Sequence, residues 1–194
     1  MKKWIMLLLL LPFIGLSFHM AAGAPKDTVV IAQGVDPTTM DPHMRYDSPG
    51  FNVTMNTFEN LLIRSAALKI EPLLATSYRL INDTTWEFTL RMGVKFHNGE
   101  DFNATSVKFS LERLADPRNN LQQTALQIIE RVDILDDYKV QIITKKPYPY
   151  LDAQLTLLGA MLPPKYVQEK GIGYIATHPV GTGPYKLVRW LKDD

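Results

Sequence analysis

Thr85-Trp86-Glu87-Phe88-Thr89-Leu90-Arg91-Met92-Gly93-Val94-Lys95-Phe96-His97-Asn98-Gly99 is the stretch on which the fold turns. Trp86, Phe88 and Leu90 alternate with Glu87, Thr89 and Arg91, the period of two that gives a strand one apolar and one polar face. Met92 and Gly93 interrupt the alternation. Val94 and Phe96 resume it against Lys95 and His97, and Asn98-Gly99 supplies residues that tolerate positive φ in a tight turn. A helix is expected directly afterwards, because Asn103 is a good N-cap and Val107, Leu111 and Leu114 fall at i, i+4 and i+7 on one stripe. Asp116-Pro117 ends it, since a residue before proline avoids helical backbone.

Towards the N-terminus, Phe51, Met55, Phe58 and Leu62 are spaced four, three and four apart, which predicts a helix over 51–63. Asn60 tolerates left-handed backbone and marks a turn there. Glu71 to Ser77 reads as an irregular crossing into a strand over 78–81, and Thr28 to Ala32 as a strand buried on both faces. Towards the C-terminus, 121–129 is expected to be helical. Val132 and Ile134, then Tyr138, Val140 and Ile142, predict two antiparallel strands around an Asp136-Asp137 turn. Pro147-Tyr148-Pro149-Tyr150 blocks regular pairing; it either offers an aromatic surface to a peptide or, more simply, closes the end of a small core. Leu151, Leu155 and Leu158 restore a helical stripe, and Pro163-Pro164 starts a short helix ending near Gly171. In Pro179-Val180-Gly181-Thr182-Gly183-Pro184-Tyr185 the glycines allow backbone that a Cβ would block, and 184–188 reads as a strand. These elements together predict a mixed α/β fold, with Trp86, Phe88, Leu90, Val107, Leu111, Val140 and Ile142 in its core.

Lys2 and Lys3 precede an apolar run from Trp4 to Leu11, and small residues follow from Ala21 to Ala24. That pattern is a secretory signal peptide over 1–23, cleaved near Gly23, and Pro12 with Ser17 and His19 argues against a membrane anchor. The 194 residues contain no cysteine, the residue to which a bacterial lipid anchor is attached. Removing Lys2 and Lys3 from the 21 basic residues leaves 19 against 20 acidic ones, so no basic surface for nucleic acid is implied. Asn52, Asn82 and Asn103 open Asn-x-Thr sequons, but a secreted eukaryotic domain would more often carry disulfides.

Trp86 to Arg91, Gly93 to Gly99, and Ala104 with Val107 through Arg113 resemble the central signature of the family 5 extracellular solute-binding proteins. These are the peptide- and nickel-type binding subunits of ABC importers. Phe58 to Leu62, Glu71 to Tyr78 and Pro179 to Tyr185 are similar to further segments of that family. Ser106 stands where the family has an acidic residue at the third helical position, so the reciprocal capping box is expected to be incomplete. The resemblance implies the N-terminal part of a type II-like periplasmic binding protein: 24–58 and 179–194 contribute to the first lobe, 59–178 form an inserted small α/β subdomain, and the second lobe is absent. Met40-Asp41-Pro42-His43 resembles the segment after the first strand, along the mouth of the ligand cleft. Tyr46, Asp47 and Ser48 occupy the positions that, by resemblance, meet the ligand; by composition alone they are ordinary turn residues.

The implied function is periplasmic solute binding for an ABC importer. The implied partners are a small solute, most simply a peptide, and the importer's membrane subunits, with no cofactor, no metal and a monomeric state. Members that bind nickel chelates or oligosaccharides are alternatives. The chain ends where the family continues, so it reads as a truncated form or a fragment. A periplasmic hydrolase is the competing class, with a histidine paired to Asp41, Asp47 or Glu59. Against it, no Gly-x-Ser-x-Gly elbow is present, and His43, His97 and His178 show no i, i+4 metal spacing.

Overall fold

The computed structural model describes residues 31–44, 47–121 and 123–191. The expected signal peptide, most of the expected first strand and Tyr46 lie outside the described residues. All helices and strands of the described residues fall within one compact unit, 33–194. No helix among the described residues is long and apolar enough to cross a membrane.

The first element is helix α1 (Ser48–Thr57). It is shorter than the expected 51–63 helix, because Phe58 turns extended and its N–H still bonds back to Thr54 O. Leu62 therefore sits in a short strand, β1 (Leu62–Arg64), paired antiparallel with β2 (Ile70–Pro72). The four-residue spacing carried Leu62 onto a helix that β-branched Ile63 and cross-strand pairing override. Asn60 does not adopt left-handed backbone; its amide instead donates to Thr156 O at 3.2 Å.

A four-stranded antiparallel sheet follows, built from β3 (Ala75–Asn82), β4 (Thr85–Leu90), β5 (Ile129–Asp136) and β6 (Lys139–Thr144) in the order β3-β4-β6-β5. Trp86 lies opposite Leu80 and Ile142, and Phe88 opposite Tyr78 and Val140. The polar alternates Glu87 and Thr89 turn to the other face, where Arg79 donates two hydrogen bonds to the Glu87 carboxylate. The Asp136-Asp137 turn is where the alternation placed it, with Tyr138 N–H donating to the Asp136 side chain.

Helix α2 (Ala104–Ala115) covers the apolar face of the sheet. Its Val107, Leu111 and Leu114 are buried in one cluster with Trp86, Phe88, Leu90, Val140 and Ile142. The N-cap Asn103 accepts from Thr105 N–H at 2.9 Å, and Ser106 Oγ accepts from Asn103 N–H at 3.5 Å. A serine hydroxyl therefore closes the capping box that its short side chain was expected to leave open, although at the outer limit of hydrogen-bond length. Glu112 and Lys108 of α2 take the N–H and C=O of Val132 on the edge strand β5, satisfying backbone groups that would otherwise stay open.

The segment after α2 holds two turns of 3₁₀ helix, Pro117–Asn119 and Thr124–Ile128, in place of the helix expected over 121–129; Ile129 already belongs to β5. After β6, a short helix α3 (Leu151–Gln154) buries Leu151, Leu155 and Leu158 as the stripe implied. Tyr148 packs partly on the core and Tyr150 is exposed, so the Pro-Tyr-Pro-Tyr segment closes the core with one ring. Helix α4 (Pro164–Lys170) ends before Gly171, and a 3₁₀ turn (Ile172–Ala176) follows.

Trp86 is 6% exposed and donates its indole N–H to Tyr148 O at 3.3 Å. Replacing it with alanine removes that burial and leaves a cavity between the sheet and the turn. Urea unfolding of Trp86→Ala should show a loss of about 3–5 kcal/mol; a loss below about 1 kcal/mol would mean that the ring carries little of the core.

Candidate functional site

Asp47 and Ser48 form the start of α1. The Asp47 carboxylate accepts the Gly50 N–H at 2.8 Å, which makes it the N-cap, while Ser48 is exposed at the first helical position next to Pro49. The structure thus brings two of the three sequence-derived site residues to one helix terminus, where the Asp47 carboxylate itself meets the macrodipole and Phe51 N–H bonds Asp47 O.

The Met40–His43 segment just before them is built inward. Met40, Asp41 and His43 are buried. Both carboxylate oxygens of Asp41 meet the guanidinium of Arg113, at 3.1 and 2.7 Å, and Asp41 Oδ1 also accepts the His43 N–H at 2.9 Å. Gln123 donates its amide to Pro42 O. His43 Nε2 lies 2.7 Å from Ala160 O, so Nε2 carries the proton, and Nδ1 is a buried acceptor with no hydrogen-bond partner among the described residues. Burial first, and then the charge of Arg113, lower the His43 pKa to about 4. Among the described residues no three His, Asp or Glu side chains gather as a possible metal site.

The segment Pro179–Tyr185 is not the strand that 184–188 suggested; it is extended chain laid against the C-terminal end of α1. Gly183 N–H donates to Thr57 O at 2.9 Å and Tyr185 N–H to Asn56 O at 3.0 Å. His97, from the Asn98-Gly99 turn, grips the same segment. Its backbone N–H donates to Gly181 O at 2.9 Å and its Nε2 to Gly183 O at 2.8 Å. His178 stacks on Tyr174 with ring centroids 4.0 Å apart.

Among the described residues, three cavities border this framework. One of about 620 Å³ lies over the Asp41–Arg113 pair, beside Phe109 and Ile172. A second, of about 680 Å³, has Tyr166, His178 and Trp190 in its wall. The third, of about 310 Å³, runs along α1 between Phe51, Met55 and Phe58 on one side and Ile63 and Leu157 on the other. Asp47 and Ser48 line none of the three. The spacing of Phe51, Met55 and Phe58 marked a real helix face, but that face borders a cavity and leaves Met55 largely exposed.

Sequence reasoning did not reach the Asp41–Arg113 pair or the His97 grip. Both join residues tens of positions apart, and neither charge nor ring periodicity signals such a pairing. The one available hint was Arg113 next to Leu114 at the edge of the α2 stripe.

The profile of the bacterial extracellular solute-binding proteins, family 5, middle region, matches residues 69–194. The glutathione-binding protein GsiB of Salmonella typhi is 35% identical over 189 residues, covering 93% of this chain and 36% of that protein. Among solved structures, NikZ from Campylobacter jejuni in complex with Ni(L-His) superposes with a TM-score of 0.79 at 31% identity, over 87% of this chain and 34% of that one. The periplasmic binding protein DppA from Helicobacter pylori in complex with the peptide STSA gives a TM-score of 0.73 at 30% identity, over 83% and 36%. The mixed α/β architecture is that of a periplasmic binding protein. The chain belongs to the bacterial extracellular solute-binding proteins of family 5. It spans about a third of the length of the relatives it matches, 36% in the case of GsiB. Members of the family are periplasmic or extracellular, bind small solutes and work with the membrane subunits of ABC importers.

The buried His43 makes stability depend on acid. Above pH 6.5 the ring is neutral in both folded and unfolded chains, so its contribution is fully present. Below 6.5 the unfolded chain takes up the proton first, and stability falls until the folded ring titrates near pH 4. Between pH 7 and 4.5 this group should remove about 2.5 kcal/mol of unfolding free energy. Urea titrations at the two pH values should show that much of the drop vanishing in His43→Gln; an unchanged drop would assign it to other groups.

Proposed function

We propose that these 194 residues are the first-lobe portion of a periplasmic receptor that delivers a peptide to an ABC importer. Residues 1–23 direct export, with cleavage near Gly23, and the mature chain acts as a monomeric, non-enzymatic binding protein. Residues 24–58 and 179–194 contribute to the first lobe, and 59–178 form the small α/β subdomain inserted into it. The hydrogen bonds from Gly183 and Tyr185 to Thr57 and Asn56 support grouping the two outer segments. We assign Tyr46, Asp47 and Ser48 to the first-lobe side of the ligand cleft on the family resemblance, with Asp47 and Ser48 at the start of α1.

The observation that carries the peptide reading is the kinship with two peptide receptors by name. One relative is a glutathione-binding protein, glutathione being a small peptide, and a similar structure holds the peptide STSA. NikZ with Ni(L-His) supports a chelate as the second reading. In either case affinity comes from burying the solute between two lobes, and closure of those lobes is the state an importer can distinguish.

One wall alone gives up about half of the contacts, and a loss of 4 kcal/mol or more lowers affinity about a thousandfold. The purified 194-residue chain should therefore bind glutathione, dipeptides and short oligopeptides with dissociation constants no tighter than about 1 mM. Amide signals of Asp47, Ser48 and Gly50 should shift in an NMR titration, and Ni-histidine should shift them less. Micromolar peptide binding would contradict the two-wall account. Shifts confined to regions away from α1, or larger with Ni-histidine, would contradict the peptide site.

A further inference from the structure

The cavity of about 310 Å³ along α1 has a chemistry unlike the helix terminus beside it. Phe51, Met55 and Phe58 of the α1 side face Ile63, Leu73 and Leu157, so the walls are mainly aliphatic and aromatic. The polar amides at its margin are already occupied. Asn60 donates to Thr156 O, and Gln123 bridges Pro42 O and Gly159 N–H. Thr54 and Thr156 donate their hydroxyls to Gly50 O and Ala153 O.

Glu59 is different. It is the single ionisable residue lining this cavity, and among the described residues its carboxylate has neither a hydrogen-bond nor an ion-pair partner. Its backbone is held in place, because Glu59 O accepts Met161 N–H at 3.0 Å and the next residue is tied to Thr156. Glu59 as a residue is half-buried and lines the cavity. One fixed negative charge on an apolar cavity, at the small end of the roughly 300–1,000 Å³ range of ligand pockets, selects for a small cation with an apolar body.

We propose that this cavity binds a small organic amine, with the ammonium on Glu59 and the apolar body between Met55 and Leu157. The site is separate from the start of α1 and goes beyond the peptide reading. An amine supplies what neither water nor a neutral hydrophobe can: a charge-assisted hydrogen bond at the carboxylate together with apolar area to cover Phe58 and Ile63. An anion is repelled, and a strongly hydrated metal ion gains nothing from the apolar walls.

The test titrates the chain with 2-phenylethylamine and with its neutral isostere 2-phenylethanol, following amide signals by NMR. The expected result is saturable amine binding that shifts Met55, Ile63 and Leu157, with the alcohol about tenfold weaker, the loss of one charge-assisted hydrogen bond. Glu59→Gln should bring the amine down to the affinity of the alcohol. Leu157→Trp, at a position 41% exposed and able to take a larger side chain, should fill the cavity and abolish both. Thermal melting confirms that each variant is folded, and the comparison of amine with alcohol on the unaltered chain needs no variant. Equal affinity for the two probes, amine binding unaffected by Glu59→Gln, or a self-associated chain in sedimentation whose cavity no longer accepts the amine would each overturn the proposal.

Discussion

The close approach of residues 181–185 to the last turn of α1 is the constraint on which the arrangement rests. A helix end leaves carbonyls without intrahelical partners, and here the chain itself supplies the donors: Gly183 N–H to Thr57 O and Tyr185 N–H to Asn56 O. The approach is possible because positions 181 and 183 lack side chains. A Cβ on Gly183 would lie 2.7 Å from Asn56 O, and one on Gly181 would lie 2.8 Å from Phe58 Cδ1 and nearer still to Thr57 O. Neither glycine has positive φ, so what they provide is space and not conformational freedom. His97 adds bonds to Gly181 O and Gly183 O, which ties the turn after β4 to the same segment.

Around that point the chain is held by polar contacts that are long in sequence and short in space. Arg113 leaves the edge of α2 to meet Asp41, His43 reaches Ala160, and Met40 N–H bonds Ala176 O. A buried ion pair of this kind adds little net stability over an apolar substitute, but breaking one side strands a charge, so it fixes position more than it adds energy. The result is that the 47–48 helix start, the proposed wall of the cleft, is carried on a framework whose anchors are buried. A receptor that closes on its solute needs such a wall to stay still while the other lobe moves.

Legibility from sequence followed the range of the interactions. The strand from Thr85 to Leu90, the turn at Asn98-Gly99 and helix α2 are specified by alternation, turn chemistry and capping within a few residues, and they stand where the residues placed them. The Leu62 error shows the limit of periodicity. Four-residue spacing cannot separate a longer helix from a helix followed by a strand, and only pairing with β2 decides it. The expected strand over 184–188 failed for a related reason. Its residues have the composition of a strand, yet among the described residues no strand pairs with it, and Tyr185 N–H bonds Asn56 O at the end of α1. Of the candidate site, Tyr46, Asp47 and Ser48 are a proposal that rests on resemblance to a family, whereas the glycines of 181–183 were readable as a steric demand without their partner being knowable.

The most direct measurement compares two glycines. Gly181→Ala places a Cβ against the Thr57 carbonyl, whereas Gly173→Ala meets no atom within 4 Å and has no positive φ to strain. If the docking of 181–185 on α1 organises the structure, urea unfolding should show Gly181→Ala destabilised by at least about 2 kcal/mol, an overpacking cost, with Gly173→Ala unchanged within about 1 kcal/mol or slightly stabilised. Hydrogen exchange at the Gly183 and Tyr185 amides should rise in the first variant and not in the second. Equal stability of the two variants, with those amides still protected, would contradict the account.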